Sequence, residues 1–343
     1  MRDTRTTTET AIEFVGVTKR FGTAVAVDDV SLTIARGELV TFLGPSGCGK
    51  TTCLRLIAGL ELPTAGTMRI AGRDVSTLPA SARNVGMVFQ SYALFPHVSV
   101  LDNVAYGPVI RGMKKAEARA RARTILEQVG LAGLGERLPS ELSGGQQQRV
   151  AVARAIVQQP DVILFDEPLS NVDAKLRRRV RQEIRALQRR FGLTAVYVTH
   201  DQEEALAVSD RIVVMEQGRI AQIGTPEDLY ERPASPFIAD FIGDANLIHG
   251  RVTAGRFAGA GLEMPLAGPD GPATVSIRPE RVRLSPGGPA ELLTATYLGS
   301  RMEYLVRSRD AELLVSRPIP EPRLAAGAAV ALHIDPADLR RVG

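Results

Sequence analysis

The segment GPSGCGKT, residues 44–51, carries the clearest chemical signal in the sequence. It fits the pattern G-x-x-x-x-G-K-[ST], in which glycines let backbone N–H groups face a polyphosphate. A short apolar run before it predicts a buried strand, and the apolar spacing after it predicts a helix whose N-terminus favours anions. Lys50 would contact the β- and γ-phosphates, and the Thr51 hydroxyl would bind Mg²⁺. The predicted nucleotide-binding residues of this loop are Gly44, Pro45, Ser46, Gly47, Cys48, Gly49, Lys50, Thr51 and Thr52.

Two adjacent carboxylates, Asp166 and Glu167, follow a second apolar run, VILF. A buried strand would deliver both to its carboxyl end, which is where α/β sheets bind ligands. Asp166 is suited to hold Mg²⁺, and Glu167 is suited to act as general base toward an attacking water. Neighbouring carboxylates repel each other unless a cation lies between them, so the pair favours a metal–nucleotide site.

The segment LSGGQ, residues 142–146, predicts the start of a helix that Ser143 caps. The two glycines of its first turn are poor helix formers and expose backbone, so this helix start can bind a second phosphate group. We therefore expect nucleotide contacts from Ser143, Gly144, Gly145 and Gln146. A single nucleotide can use both this helix start and the glycine-rich loop only if the two face each other.

Strand and helix patterns around these motifs predict an α/β fold, with a mostly helical stretch over residues 91–160. After residue 243 the pattern changes to short period-2 segments separated by glycine and proline. Such segments are typical of a small all-β barrel or sandwich. Residues 1–10 are polar and predict a flexible tail.

The composition is that of an ordinary globular protein with about two domains. The net charge of +4 over 343 residues gives no basic patch large enough for nucleic acid. The two cysteines cannot form a secreted disulfide framework. Because neither a transmembrane run nor a signal peptide is apparent, we expect a cytosolic protein or one held at a membrane by a partner.

The motifs GPSGCGKT, LSGGQQQRV, VILFDEP and VTHD, in this order, resemble the ATP-binding subunit of an ATP-binding cassette (ABC) transporter. The resemblance covers residues 12–242. It implies a P-loop NTPase with a RecA-like core, a helical subdomain over about 91–160 and an antiparallel β-subdomain. It also implies an ABC ATPase domain over 11–243, followed at 244–343 by an oligosaccharide-binding-like TOBE β-barrel.

The same resemblance assigns roles to four further residues. Phe21 would stack on adenine, and packing in a core is the less favoured alternative for an aromatic residue here. Gln90 would reach Mg²⁺ and the attacking water, and its loop would face the membrane subunit. Asp173 would link the two ATP sites across a dimer, and His200 would contact the γ-phosphate.

Members of this family work as head-to-tail pairs, with ATP between Lys50 of one copy and Ser143 of the other. The resemblance therefore implies ATP and Mg²⁺ as ligands, and a second copy and permease subunits as partners. A periplasmic or surface binding protein would act indirectly, and the chain would lie at the cytoplasmic face of the membrane.

The C-terminal barrel favours an importer; a separate-chain exporter and a soluble non-transport ATPase are the alternatives. Segments such as FIGDANLI resemble importers of ferric iron or polyamines and do not separate the two.

Overall fold

The computed structural model describes residues 9–169, 174–319 and 323–342, with only the backbone described at 174–176. Most of the expected tail and the whole of Asp173 therefore lie outside the described residues. The chain forms two compact units, Met1–Pro226 and Glu227–Gly343. None of the described helices is both long and apolar enough to cross a membrane.

The helices have the following bounds: α1 Lys50–Ala58, α2 Val100–Ile110, α3 Lys115–Gln128, α4 Gly144–Ile156, α5 Ala174–Phe191, α6 Gln202–Val208, α7 Pro226–Glu231 and α8 Pro236–Phe241. The strands of the first unit are β1 Thr10–Phe21, β2 Ala24–Ala35, β3 Leu39–Leu43, β4 Ala65–Ile70, β5 Arg73–Asp74, β6 Val85–Val88, β7 Val162–Asp166, β8 Ala195–Thr199, β9 Arg211–Glu216 and β10 Arg219–Gly224.

A six-stranded sheet in the order β10-β9-β3-β8-β7-β6 forms the centre of the first unit. All of its pairings are parallel except that between β9 and β10. Every residue of β3 and β8 is buried, which explains why both read as continuous apolar runs. Leu43 pairs with Thr199 and Asp166 with Val198, so the segments that follow these strands emerge at one edge.

Two further layers complete this unit. An antiparallel sheet in the order β2-β1-β4-β5 shares a hydrophobic core with α1 and part of the central sheet. The helices α2, α3 and α4 pack together around a second core. These layers match the antiparallel and helical subdomains that the family resemblance implies.

The second unit is built mainly from two antiparallel sheets, as the period-2 segments predict. Its strands are β11 Asn246–Thr253, β12 Arg256–Gly259, β13 Leu262–Pro265, β14 Gly271–Ile277, β15 Arg283–Tyr297, β16 Arg301–Ser308, β17 Ala311–Pro318, β18 Ala329–His333 and β19 Arg340–Val342. The sheet orders are β13-β12-β11-β14-β19 and β17-β16-β15-β18. One hydrophobic core joins residues from both sheets.

Arg278 connects several segments at the start of the second unit through hydrogen bonds to their backbone. Its side chain is buried, and its guanidinium lies 3.9 Å from the centre of the Tyr230 ring. It donates hydrogen bonds to the carbonyl oxygens of Tyr230, Ala239 and Ile242. The arginine therefore ties α7 and α8 to the segment that follows β14.

Candidate nucleotide-binding site

The glycine-rich loop connects β3 to α1, as the sequence predicts. Gly44 has φ 157° and Gly49 has φ 107°. A Cβ atom on Gly44 would lie 2.3 Å from the Met215 carbonyl oxygen, and one on Gly49 would lie 2.4 Å from that of Ala26. Such contacts are too short for any side chain, so the backbone path of the loop requires glycine at both positions.

Lys50 is the first residue of α1, and its side chain is buried beneath the loop. Its ammonium group donates to the carbonyl oxygens of Gly44 at 2.7 Å and Pro45 at 2.8 Å. The positive charge is thus held inside the loop, next to the N-terminus of a helix with no acidic residue in its first turn. Charge and helix dipole together favour a phosphate group here.

The acidic pair lies at the end of β7, two strands away from β3. Burial, and then the charge of Glu167, raise the pKa of Asp166, while Arg55 acts in the opposite direction. Glu167 has φ 43°, a left-handed conformation that is costly for a residue with a side chain. Its backbone N–H donates to the Val198 carbonyl oxygen at 3.1 Å, which ties this conformation to the neighbouring strand β8.

His200 follows β8 and lies beside Glu167. Its Nδ1 atom is 3.3 Å from Glu167 Oε2, and its side chain is 60% exposed. The next residue, Asp201, caps α6 and pairs with Arg177 at 3.1 Å. His200, Asp201 and Arg177, together with Glu167, line a small cavity of about 50 Å³. The structure therefore joins two of the predicted catalytic residues directly and leaves the imidazole open to solvent.

Gln90 follows β6 at the same edge of the sheet, and it is exposed. The segment after it is held by Arg154 of α4, which donates to the carbonyl oxygens of Tyr92 and Ala93 at 3.0 and 2.8 Å. Both Tyr92 and Ala93 have left-handed backbone conformations. Arg154 therefore fixes the turn that carries Gln90.

Phe21 ends β1, and its side chain is 47% exposed. The Lys19 ammonium lies 4.7 Å from the centre of its ring. This exposure excludes the alternative that Phe21 packs in a core. The exposed part of the ring offers a flat surface on which a base can stack.

Ser143 caps α4 as the sequence predicts. Its hydroxyl accepts from the Gln146 N–H at 3.4 Å, and its own N–H donates to Gln146 Oε1 at 2.9 Å. A cavity of about 240 Å³ lies beside this helix start. Among the described residues, no hydrogen bond or ion pair joins residues 143–146 to residues 44–52 of the same chain.

Sequence reasoning missed several charged residues around the site. Arg149 and Glu183 form an ion pair that lines the cavity beside Ser143. Arg55 acts on Asp166, Arg177 pairs with Asp201, and Arg154 holds the Gln90 turn. No local pattern distinguishes these arginines from the many others on α3 and α5, since only the tertiary fold determines their partners.

The chain is similar in sequence and fold to known proteins. The sequence profile of the ABC transporter family matches residues 27–170, and that of the TOBE domain matches residues 275–342. The chain is 54% identical over 340 residues to the Fe(3+) ions import ATP-binding protein FbpC 1 of Rhizobium meliloti (strain 1021), covering 94% of this chain and 95% of the relative. It is 55% identical over 326 residues to the Fe(3+) ions import ATP-binding protein FbpC of Brucella abortus (strain 2308), covering 92% of each.

A solved structure, the dimeric post-hydrolysis state of the ATP-binding cassette MJ0796 bound to ADP and Pi, matches with a TM-score of 0.54 and 33% identity. The match covers 63% of this chain and 98% of that one. The chain belongs to the family of ATP-binding subunits of ABC transporters that drive import. It hydrolyses ATP, and it combines the ABC ATPase with a C-terminal TOBE domain.

Proposed function

We propose that this chain is the ATPase subunit of a ferric-iron importer. The assignment of ferric iron as the substrate rests on one observation, the names of the chain's relatives. These are 54–55% identical over nearly the whole chain and are called Fe(3+) ions import ATP-binding proteins. Polyamine import is the alternative that the sequence left open, and none of these relatives favours it. We assign residues 11–243 to the ABC ATPase domain and residues 244–343 to the TOBE domain. The compact units divide earlier, after Pro226, because α7 and α8 are held by Arg278 of the second unit.

ATP binds with its β- and γ-phosphates on residues 44–52 and its adenine on Phe21. The support is geometric: the loop backbone admits only glycine at Gly44 and Gly49, and Lys50 holds its charge within it. On binding, the Lys50 ammonium exchanges the Gly44 and Pro45 carbonyl oxygens for phosphate oxygens. Phe21 offers an exposed ring to the base.

The donor set fits Mg²⁺, which prefers oxygen ligands and binds through one or two carboxylates together with substrate phosphates. Thr51, Asp166 and Gln90 would hold the ion, since a hydroxyl, a carboxylate and an amide oxygen are hard donors. Burial and the charge of Glu167 raise the pKa of Asp166, so a nearby cation would stabilise its ionised form. When bound, the ion neutralises charge on the β- and γ-phosphates.

Glu167 acts as the general base for hydrolysis. It takes a proton from the attacking water while the bond to the ADP leaving group breaks. His200, 3.3 Å away, orients this carboxylate and contacts the γ-phosphate from the exposed side of its ring. The costly backbone conformation of Glu167 supports this role, because strain of this kind persists where function requires a fixed side chain.

Two copies of the chain pair head to tail, and Ser143, Gly144, Gly145 and Gln146 of one copy contact the ATP that Lys50 of the other holds. Among the described residues, no hydrogen bond or ion pair joins the two half-sites within one chain, and this supports the pairing. So does the dimeric arrangement of the cassette MJ0796. Asp173 would link the two ATP sites across this dimer.

A groove of about 560 Å³ near the Gln90 turn is the docking site for a short helix of the permease. Its lining includes four aromatic or aliphatic side chains that are at least 38% exposed: Phe89, Phe95, Tyr106 and Ile110. Closure of the ATPase dimer would bias the permease between two conformations through this contact. The chain is then a peripheral subunit at the cytoplasmic face of the membrane, and a substrate-binding protein acts through the permease.

A pull-down from source membranes tests this proposal. Tagged Glu167→Gln protein is held with ATP, and the bound chains are identified by mass spectrometry. Recovery of a multi-span permease supports the importer, and the genes beside that permease identify the binding protein whose ligand can be titrated. Recovery of ribosomal or DNA-repair proteins without a membrane chain contradicts it, as does a permease whose binding protein takes polyamines and not ferric iron.

A further inference from the structure

His200 lies in the short link between β8 and α6, and Glu204 of α6 holds both of its neighbours. Thr199 precedes His200, and its hydroxyl donates to Glu204 Oε2 at 2.9 Å. Asp201 follows His200, and its Oδ1 atom accepts from the Glu204 N–H at 3.0 Å. The Asp201 N–H donates in turn to the Thr199 hydroxyl at 3.0 Å. These three hydrogen bonds restrain the backbone on both sides of His200.

Glu204 is itself fixed inside the first unit. It is only 3% exposed, although it belongs to the first turn of α6. Its Oε2 atom also accepts from the Tyr197 hydroxyl at 3.1 Å, and its Oε1 atom lies 3.7 Å from Arg177 Nε. Burial raises the pKa of Glu204, while the hydrogen bonds from Thr199 and Tyr197 act in the opposite direction. A buried carboxyl group with partners on both oxygens forms a rigid network.

This network extends to the pair of Glu167 and His200. Glu204 and Glu167 line the same cavity of about 50 Å³, and His200 Nδ1 lies 3.3 Å from Glu167 Oε2. The His200 side chain is 60% exposed, so its ring has little packing to hold it in place. We propose that Glu204 is a positioning residue for ATP hydrolysis, because it fixes the backbone around His200 and so holds the imidazole beside Glu167. This inference rests on the role proposed above for His200.

The alternative is that Glu204 only stabilises the fold, and two threonines at the ends of β8 separate these roles. Thr199 ends the strand and is 2% exposed, and Thr194 directly precedes the strand and is 6% exposed. The Thr194 hydroxyl accepts from the Gly37 N–H at 3.1 Å, whereas that of Thr199 donates to Glu204. Valine at either position removes one buried hydroxyl from a side chain of similar shape. Both variants should therefore lose similar stability in urea unfolding, but only Thr199→Val should slow hydrolysis.

The test uses the full-length chain, with phosphate release for kcat, a fluorescent nucleotide for ATP affinity and circular dichroism for folding. Displacement of a catalytic group by about 1 Å can lower a rate by about 100-fold. We expect Thr199→Val and Glu204→Leu to lower kcat by about tenfold or more, with ATP affinity within about twofold of wild type. Glu204→Gln keeps an oxygen acceptor for the hydroxyls, so its kcat should lie between those of Glu204→Leu and wild type. Thr194→Val should keep the wild-type kcat.

A double variant shows whether the effect passes through His200. Thr199→Val combined with His200→Ala should be no more than about twofold slower than His200→Ala alone, since a lost ring cannot be misplaced further. The position of the ring is followed by nuclear magnetic resonance of chain labelled with ¹³C in its four histidines. The His200 signal is the one that disappears in His200→Ala. It should shift in Thr199→Val and stay unchanged in Thr194→Val.

The outcomes separate this inference from the proposed role of His200. A slow His200→Ala beside folded Thr199→Val and Glu204→Leu variants of wild-type kcat overturns the positioning role alone. Losses that multiply in the double variant, or a His200 signal that Thr199→Val leaves unshifted, also overturn it. A wild-type kcat in His200→Ala itself overturns the proposed role of His200 and the positioning role with it.

Discussion

Replacing Glu167 with glutamine separates binding of ATP from its hydrolysis. Glutamine has the same size, keeps the backbone bond to Val198, and can accept a hydrogen bond from His200 across the present 3.3 Å. The substitution removes only the basic oxygen. General-base catalysis contributes about 10²–10⁴-fold, which corresponds to about 2.7–5.4 kcal/mol of activation free energy. We therefore expect kcat to fall by about 10²–10⁴-fold.

ATP binding should be preserved or become tighter in this variant. The charge of Glu167 contributes to the raised pKa of Asp166, so its removal leaves Asp166 more readily ionised and better able to bind the Mg²⁺ that accompanies ATP. Phosphate release measures kcat, and a fluorescent nucleotide measures affinity. The control is Glu203→Gln on α6, whose side chain is 88% exposed and which should behave as wild type. Turnover by Glu167→Gln within a few-fold of wild type would refute the assignment of Glu167 as base.

Three further substitutions test other parts of the structure. His200→Ala should lower kcat by about 100-fold or more while ATP binding remains, since a group that contacts developing charge is lost; an unchanged kcat contradicts its role. Gly49→Ala places a methyl group 2.4 Å from the Ala26 carbonyl oxygen, so ATP binding should disappear in a calorimetric titration; retained affinity would contradict the loop geometry. Arg278→Leu removes the guanidinium that donates to three carbonyl oxygens and should destabilise the second unit by about 3 kcal/mol or more in urea unfolding, whereas Arg281→Leu, at an exposed position, should be nearly neutral.

The sequence predicts well those features that depend on neighbouring residues alone, such as helix caps and buried strands. Ser143 caps α4, and the apolar runs of β3 and β7 are buried, since capping and burial are readable from residue type. Glu167 and His200 come together because β7 and β8, which precede them, are neighbouring parallel strands whose carboxyl ends lie at one edge of the sheet.

Features that depend on contacts between distant parts of the chain could not be predicted from the sequence. Residues 283–297 contain proline and glycines and read as two short strands, yet β15 is continuous with an irregular register between Pro286 and Ala290. A bulge lets the strand continue past residues that elsewhere form turns. The partners of Arg149 and Arg154 likewise depend on how the helices pack, which no short segment encodes.

The most direct test of the central claim is transport in cells that lack this chain. Uptake of radiolabelled ferric iron and of radiolabelled polyamine is measured in the deletion strain, and again with the wild-type chain or Glu167→Gln restored. We predict that ferric uptake is lost on deletion, returns with the wild-type chain and stays absent with Glu167→Gln, while polyamine uptake never changes. Ferric uptake that persists without the chain, or loss of polyamine uptake alone, would contradict the proposed function.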